Sequence, residues 1–194
     1  MPITAADVNK LRKMTGVGMM HAKKALTEAE GDFEKAADIL RKAGSSRAAK
    51  KADRETGEGR VHCYSHGNGK IGSMVQILCE TDFVARNEAF IEFANDVAMH
   101  IVAMTPIYLS REDVPENVLA KETEIVKEQN VGKPADILEK IVAGKLEKYY
   151  EEMCLLEQKF IKDEDMTIQQ LVESKIASLG ENMRISGFSR LQIG

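Results

Sequence analysis

The sequence predicts an α+β protein that carries a separate helical bundle at its N-terminus. Apolar residues recur at helical spacing in the first 44 positions, the period shifts toward two between residues 61 and 79, and helical spacing returns from residue 87. A last alternating stretch at 183–193 suggests a third strand. We therefore predict a three-helix bundle at 1–44, a basic linker at 45–59, and at 60–194 a small antiparallel three-stranded sheet packed with helices.

The composition narrows the classes of function. The chain has 194 residues, of which 43% are hydrophobic and 30% charged, and its net charge is -4. Because phosphate binding needs a surplus of Lys and Arg, this charge disfavours a general nucleic-acid binder. No apolar run approaches the roughly 18 residues of a membrane helix, and the N-terminus has no apolar signal-like stretch. We therefore expect a cytoplasmic protein that contacts neither a membrane nor nucleic acid directly.

The N-terminal bundle is predicted from its helix-ending residues. Thr4 begins the first helix in a variant capping box, and Gly16 is placed to end it. The second helix covers Met19–Ala29. Asp32 is placed to cap a third helix, which should end before Gly44.

The loop between the first two helices contains an ambiguous pair of side chains. A bundle this small cannot easily bury two adjacent methionines, Met19 and Met20, on one helix. Methionine adapts its shape and often serves binding surfaces. The alternative is that Met19 belongs to the core and Met20 lies at its edge, and the pattern alone does not separate the two.

The linker at 45–59 has its own character. Small residues alternate with Arg and Lys, and no large apolar side chain occurs. This composition predicts a solvated tether, in part helical. A contact with RNA or an acidic partner is the alternative interpretation of its basic cluster.

A β-hairpin is predicted at 61–79. The alternating residues flank a turn at Gly67-Asn68-Gly69. Together with Gly72 this turn forms a formal G-x-G-x-x-G, but a strand follows it where a dinucleotide site requires a helix. The glycines therefore indicate a turn.

The cysteines and histidines favour neither a disulfide framework nor a metal site. Cys63, Cys79 and Cys154 form an odd, widely spread set, which fits reduced core thiols better, although one could link two subunits. In a strand Cys63 points away from His62 and His66, and no close ligand pair such as C-x₂-C occurs. No catalytic motif stands out either. We expect no metal, no cofactor and no enzymatic chemistry.

Four further helices and the last strand complete the core. Proline, asparagine and threonine punctuate an apolar helical pattern. The predicted elements are a helix from Asn87 to before Pro106, one from Pro115 to about Gln129, one that follows Pro134, one that Thr167 caps and Gly180 closes, and a strand at 183–193.

The corner before the first of these helices, CETDFVARN at Cys79 to Asn87, raises a question of its own. Asn87 is a plausible N-cap, with Thr81 or Asp82 as the alternative if the helix begins earlier. Phe83 either packs onto the helix as a staple-like contact or is displayed to a partner. From the residues alone the packed alternative is slightly favoured.

Five separated motifs in one order carry a resemblance to a known family. They are L-R-x-x-T-G-x-G-M-M at Leu11 to Met20, A-D-R-E-T at Ala52 to Thr56, T-D-F-V-A-R-N at Thr81 to Asn87, K-I-V-A-G-K-L-E-K-Y-Y at Lys140 to Tyr150, and C-L-L-E-Q at Cys154 to Gln158. Together they are spread over most of the chain, from residue 11 to residue 158. This set resembles the translation elongation factor Ts family.

The resemblance implies a guanine-nucleotide exchange factor for elongation factor Tu, with an N-terminal domain similar to ubiquitin-associated domains. It implies that a first group of residues intrudes near the partner's magnesium and phosphate site: Thr81, Asp82, Phe83 and Val84. It implies that a second group binds the partner: Val17, Gly18, Met19, Met20, Lys23, Ala85, Arg86 and Asn87.

The chain also departs from the longer members of that family. It holds one copy of the core motif, so we predict a homodimer, with the last strand, Arg184 to Ile193, as a candidate subunit contact. A module that binds RNA or the ribosome through the basic linker remains the alternative class of function.

Overall fold

The computed structural model describes residues 3–193 and shows an α+β protein, as the sequence predicts. Its α-helices are α1 (Ala5–Thr15), α2 (Met19–Glu28), α3 (Phe33–Ala49), α4 (Asp82–Ala85), α5 (Glu88–Met104), α6 (Glu116–Glu128), α7 (Ala135–Met153) and α8 (Ile168–Leu179). Its strands are β1 (Glu58–His66), β2 (Ile71–Cys79), β3 (Lys159–Phe160), β4 (Asp163–Thr167) and β5 (Met183–Gln192). An antiparallel sheet has the strand order β1-β2-β5, and β3 pairs with β4.

The chain divides into two compact units. The first contains the residues up to Val61 together with Ile77–Ala94 and Gln170–Arg184. The N-terminal bundle of this unit has a small, fully enclosed core in which Leu11, Ala22 and Leu26 have no exposed surface. The predicted helix ends are confirmed, since Thr4 forms a capping box, Gly16 has a φ of 68° and Asp32 accepts two backbone N–H groups.

The third helix differs from its prediction. It does not end before Gly44 but continues to Ala49, so the first part of the predicted linker is helical. Gly44 is buried, and a Cβ at this position would lie 3.8 Å from the Cβ of Ala177 on α8. The next residue also bonds to α8, because the Ser45 hydroxyl donates to the Glu173 carboxylate. Gly44 therefore lies inside α3, next to α8, and does not end the helix. The division into domains stays a prediction.

The central strand of the sheet has one buried and one open face. Ser73, Val75, Ile77 and Cys79 are buried, whereas Met74 is 47% exposed. The Ser73 hydroxyl donates to the carbonyl oxygen of Ala98 at 2.6 Å, so α5 lies against the buried face. The predicted apolar pattern of α5 is confirmed, since Phe90, Ala94, Val97, Ala98 and Ile101 are fully buried. Phe93, which was not predicted to belong to this stripe, is fully buried as well.

The second unit contains His62–Gln76, Asn95–Gln169 and the residues from Ile185 onward. Its helices α6 and α7 begin after Pro115 and Pro134, as predicted, and pack together. The predicted apolar stripe of α7 is only half-buried, because no residue of this helix is fully enclosed. Arg111 anchors α7: its guanidinium bonds the carboxylates of Glu147 and Glu157 and lies 4.7 Å from the centre of the Tyr150 ring.

Two features of this unit were not predicted. One is the small β3-β4 sheet. The other is a fully buried histidine, His100, whose Nε2 donates to the side-chain oxygen of Gln158 at 3.0 Å while Nδ1 faces the N–H of Ile161. Burial lowers the pKa of His100 to about 4, so the ring is neutral near pH 7.

The cysteines are free thiols but do not all belong to the core. Cys79 and Cys154 are buried, as predicted, whereas Cys63 is exposed on β1. The prediction of a core position is therefore wrong for Cys63. Its neighbours explain this, because β1 contains no fully buried residue.

Candidate partner-binding site

The corner after β2 folds into the four-residue helix α4, which is followed at once by α5. The Thr81 hydroxyl accepts the N–H of Val84 at 3.4 Å and caps α4. The side-chain oxygen of Asn87 accepts the N–H of Ala89 at 2.9 Å and caps α5. Both capping alternatives therefore occur, one on each helix. Ala85, also predicted to bind the partner, is 7% exposed and fixes α4 to the core.

Phe83 lies on the outer side of α4 and is 81% exposed. The staple-like contact that the residues alone favoured is therefore wrong. Val84 is half-buried, while Arg86 and Asn87 are exposed. The Asp82 carboxylate lies 3.0 Å from the guanidinium of Arg86 across one helical turn, an exposed ion pair of small energetic value. The aromatic ring is thus displayed to solvent without contributing a buried contact of its own.

Two residues about a hundred positions further along the chain hold this corner. Glu181 accepts the backbone N–H of Thr81 at 3.0 Å and its hydroxyl at 2.6 Å. In return, Glu80 accepts the backbone N–H of Asn182 at 2.6 Å. We call this crossed pair of carboxylate bonds, Glu80–Thr81 with Glu181–Asn182, the corner clasp. No local sequence signal indicated it, because its halves are remote along the chain.

The clasp also has a sulfur neighbour. The Cys79 thiol donates to the carbonyl oxygen of Thr81 at 3.1 Å. Burial, and then the nearby Glu181 carboxylate, raises the pKa of the Cys79 thiol. The thiol therefore keeps its proton near pH 7 and acts as a donor.

The loop before α2 and the first turns of α2 carry the N-terminal members of the second group of residues predicted to bind a partner. Val17 packs partly against the bundle core, and Gly18 begins α2 without a side-chain cap. Met19 is 50% and Met20 74% exposed, so the alternative in which Met19 belongs to the core is wrong. Lys23 is exposed as well. Met14, which the sequence did not single out for binding, adds a third exposed methionine.

The basic segment at 51–54, which follows α3, makes several contacts within the first unit. The Lys51 ammonium donates to the carbonyl oxygen of Gly180, and the guanidinium of Arg54 lies 3.4 Å from the Glu80 carboxylate. The side-chain amide of Asn182 donates to the carbonyl oxygens of Ala52 at 3.2 Å and Arg54 at 2.8 Å. These contacts use basic side chains within the protein, which weakens the interpretation of the segment as an RNA contact.

Neither a metal centre nor a membrane segment is found in residues 3–193. No group of three or more His, Cys, Asp or Glu side chains in this range is placed to hold a metal ion. Within the same described range, no helix has both the length and the apolar character to cross a membrane.

Comparison with known proteins decides the family. A family model described as Elongation factor TS matches residues 22–194. The chain belongs to the elongation factor Ts family. The elongation factor Ts of Fervidobacterium nodosum is 54% identical over 196 residues, with 100% of each chain covered. That of Moorella thermoacetica is 55% identical, covering 99% of this chain and 96% of the relative, and that of Geobacter sulfurreducens is 53% identical, covering 100% and 91%.

Membership of the elongation factor Ts family confirms the resemblance carried by the five motifs. It also supports a role in translation elongation. The family model covers the α4 corner and α2 from Ala22 onward, and the relative from Fervidobacterium nodosum also spans the exposed Met19 and Met20.

Proposed function

We propose that this protein is a guanine-nucleotide exchange factor that binds elongation factor Tu carrying GDP and promotes release of the GDP. The observation that carries the proposal is Phe83, an aromatic side chain that is 81% exposed on a capped and anchored helix. An exposed aromatic group contributes little to folding, but it gives a partner a large apolar contact.

The exchange would rest on linkage between two ligands. If the protein binds nucleotide-free Tu more tightly than the GDP form, GDP must bind the complex more weakly by the same factor. Thr81, Asp82, Phe83 and Val84 would form the intruding element. Phe83 would insert next to the nucleotide site of Tu and make its apolar contact only in the disturbed conformation. Asp82 would act beside it.

Displacement of the partner's magnesium would follow from this intrusion. Mg²⁺ demands a near-ideal arrangement of oxygen ligands, so a small shift of the surrounding loops removes part of its coordination. The phosphates of GDP then lose the charge that holds them. No covalent bond forms or breaks in this cycle, and rebinding of GTP reverses the coupling and releases the factor.

The N-terminal loop would supply the grip. Met19 and Met20, with Val17 and Gly18 at the start of α2, form an adaptable apolar patch suited to a helix of the GTPase domain of Tu. Lys23 adds a positive charge on the same helix, and Arg86 and Asn87 add polar contacts next to α4. As a translation factor, the protein would act in the cytoplasm.

Exchange is tested by release of a fluorescent GDP analogue from purified Tu, with the protein present in substoichiometric amounts. We expect multiple-turnover acceleration that Phe83→Ala reduces at least tenfold, about 1.4 kcal/mol. Val131→Ala is the matched control, because Val131 is also strongly exposed, at 85%. A folded Phe83→Ala variant with full activity would contradict the role of this residue, and no acceleration by the unsubstituted protein would contradict the function.

We also propose that two copies of the chain form a homodimer through β5. Leu191, near the end of this strand, and Ile193, directly after it, are 74% and 72% exposed, and such neighbouring apolar side chains suit a surface that a partner covers. Light scattering at micromolar concentration should give the mass of a dimer. Leu191→Glu should shift it to a monomer while Val131→Glu should not. A monomeric unsubstituted protein would refute this proposal.

A further inference from the structure

We infer that Glu181 is a positioning residue for nucleotide exchange, acting through Thr81 to hold Phe83 in place. The inference rests on the proposed function, because it assigns to Glu181 a part in the action of Phe83. Glu181 itself lies at the corner between α8 and β5 and belongs to neither group of residues predicted to contact the partner.

The direction of the Phe83 side chain is set by the helix that carries it. At 81% exposure the ring has little packing of its own, so its position depends on the backbone of α4. A helix of four residues cannot hold itself together, because nucleation of a helix is unfavourable and only tertiary contacts offset this cost. The orientation of α4 therefore depends on its two ends.

The two ends of α4 are fixed by different contacts. The C-terminal end is fixed by the buried side chain of Ala85. The N-terminal end is fixed by Thr81, whose hydroxyl meets the N–H of Val84 at the weak distance of 3.4 Å. The stronger bonds of Thr81 go to Glu181, which accepts both its N–H and its hydroxyl, at 3.0 and 2.6 Å. Hydrogen bonds to a charged acceptor are roughly twice as strong as neutral ones.

The backbone next to Glu181 is itself restrained. The N–H of the next residue, Asn182, is bound by the Glu80 carboxylate at 2.6 Å, and Asn182 is only 6% exposed. The corner clasp therefore restrains the backbone on both sides of the Thr81–Glu181 bonds. A preorganised tip avoids the entropic cost of ordering Phe83 during the encounter with Tu.

The test is a double-mutant cycle in the fluorescent GDP release assay, with Glu181→Ala, Phe83→Ala and the double variant. We expect Glu181→Ala to lower the maximal exchange rate about tenfold, since a hydrogen bond to a charged group changes an equilibrium by about that factor or more. In the Phe83→Ala background the same substitution should change the rate less than about twofold, because groups that act as one unit are not additive. Equal effects in both backgrounds would overturn the inference in favour of a general structural role.

Conservative variants separate the bonds from the fold. Glu181→Gln keeps one acceptor and should lose less activity than Glu181→Ala. Thr81→Val keeps the shape without the hydroxyl and should be slow. Glu173→Ala is the control, since this α8 carboxylate also accepts from a hydroxyl, that of Ser45, away from the corner. Should Glu181→Ala fail to fold, Glu181→Gln replaces it in the same cycle with Phe83→Ala.

The outcomes also separate this inference from the proposed function. Slow exchange by Phe83→Ala with normal exchange by Glu181→Ala and Thr81→Val would overturn the positioning role alone. Normal exchange by Phe83→Ala would overturn the role of the ring and the positioning role with it.

Discussion

Replacement of Gly44 by alanine should stabilise the protein. Gly44 lies inside α3, where glycine costs about 0.5–1 kcal/mol relative to alanine. Its φ is not positive, and the new Cβ would meet Ala177 at 3.8 Å, an ordinary van der Waals distance. The methyl group would also be buried, which adds a further gain of up to about 0.8 kcal/mol. We therefore expect Gly44→Ala to raise the free energy of unfolding by about 1 kcal/mol.

Urea denaturation and thermal unfolding measure this change. For a chain of this length, about 1 kcal/mol corresponds to a rise in Tm of about 2–4 °C. The matched control is Gly16→Ala, at a helix end where φ is 68°, which should destabilise by about 1–2 kcal/mol because L-residues disfavour this conformation. Destabilisation by Gly44→Ala would refute the reasoning, since it would mean that residue 44 ends the helix or that no room exists beside Ala177.

Three further predictions concern buried and strained groups. Because the pKa of His100 is about 4 in the folded protein against an ordinary 6.5, the neutral ring should contribute about 3 kcal/mol to the free energy of unfolding above pH 6.5. This contribution is lost as pH falls toward 4. Urea denaturation across this range should show that the free energy of unfolding depends less steeply on pH for His100→Gln. An aromatic disulfide reagent should modify the exposed Cys63 rapidly in the native protein, while Cys79 and Cys154 should react only on unfolding. The reason is that burial raises the pKa of both of these thiols, that of Cys154 to about 11. Equal reaction rates for all three cysteines would contradict this. Thr105 has a φ of 51°, a backbone conformation that is costly for a β-branched residue. Thr105→Asn should therefore raise the midpoint of thermal unfolding. A lower midpoint would show that the threonine side chain stabilises the fold by more than the backbone strain costs.

Local chemistry made much of the fold predictable. Capping at Thr4 and Asp32, the left-handed Gly16 and the prolines before α6 and α7 act through neighbours within a few residues. Such signals can be read directly from a sequence. The place of Gly44 could not, because a glycine that ends a helix and a glycine that lies inside one look alike until the residue opposite it, Ala177, is known.

The sequence predicts which residues belong to the candidate site but not what supports them. The motif resemblance pointed to Phe83 and to the methionine pair, and the structure displays these side chains to solvent. The residues alone favoured a packed Phe83, because an apolar side chain at a helix junction usually finds a local contact. Glu181 could not be found from the chain, since its bonds to Thr81 span a hundred positions and a lone glutamate before a strand carries no local pattern.

The bonds that Asn182 makes to the carbonyl oxygens of Ala52 and Arg54 bear on proteolysis. The basic segment offers trypsin several cleavable bonds, but a protease must draw several residues of extended chain into its cleft. A backbone held by Asn182, with the Lys51 side chain bound to Gly180, cannot be drawn out unless the α8–β5 corner opens first. Cleavage in this segment would therefore report the opening of the corner that also holds Thr81, and its rate would measure how often the free protein releases α4.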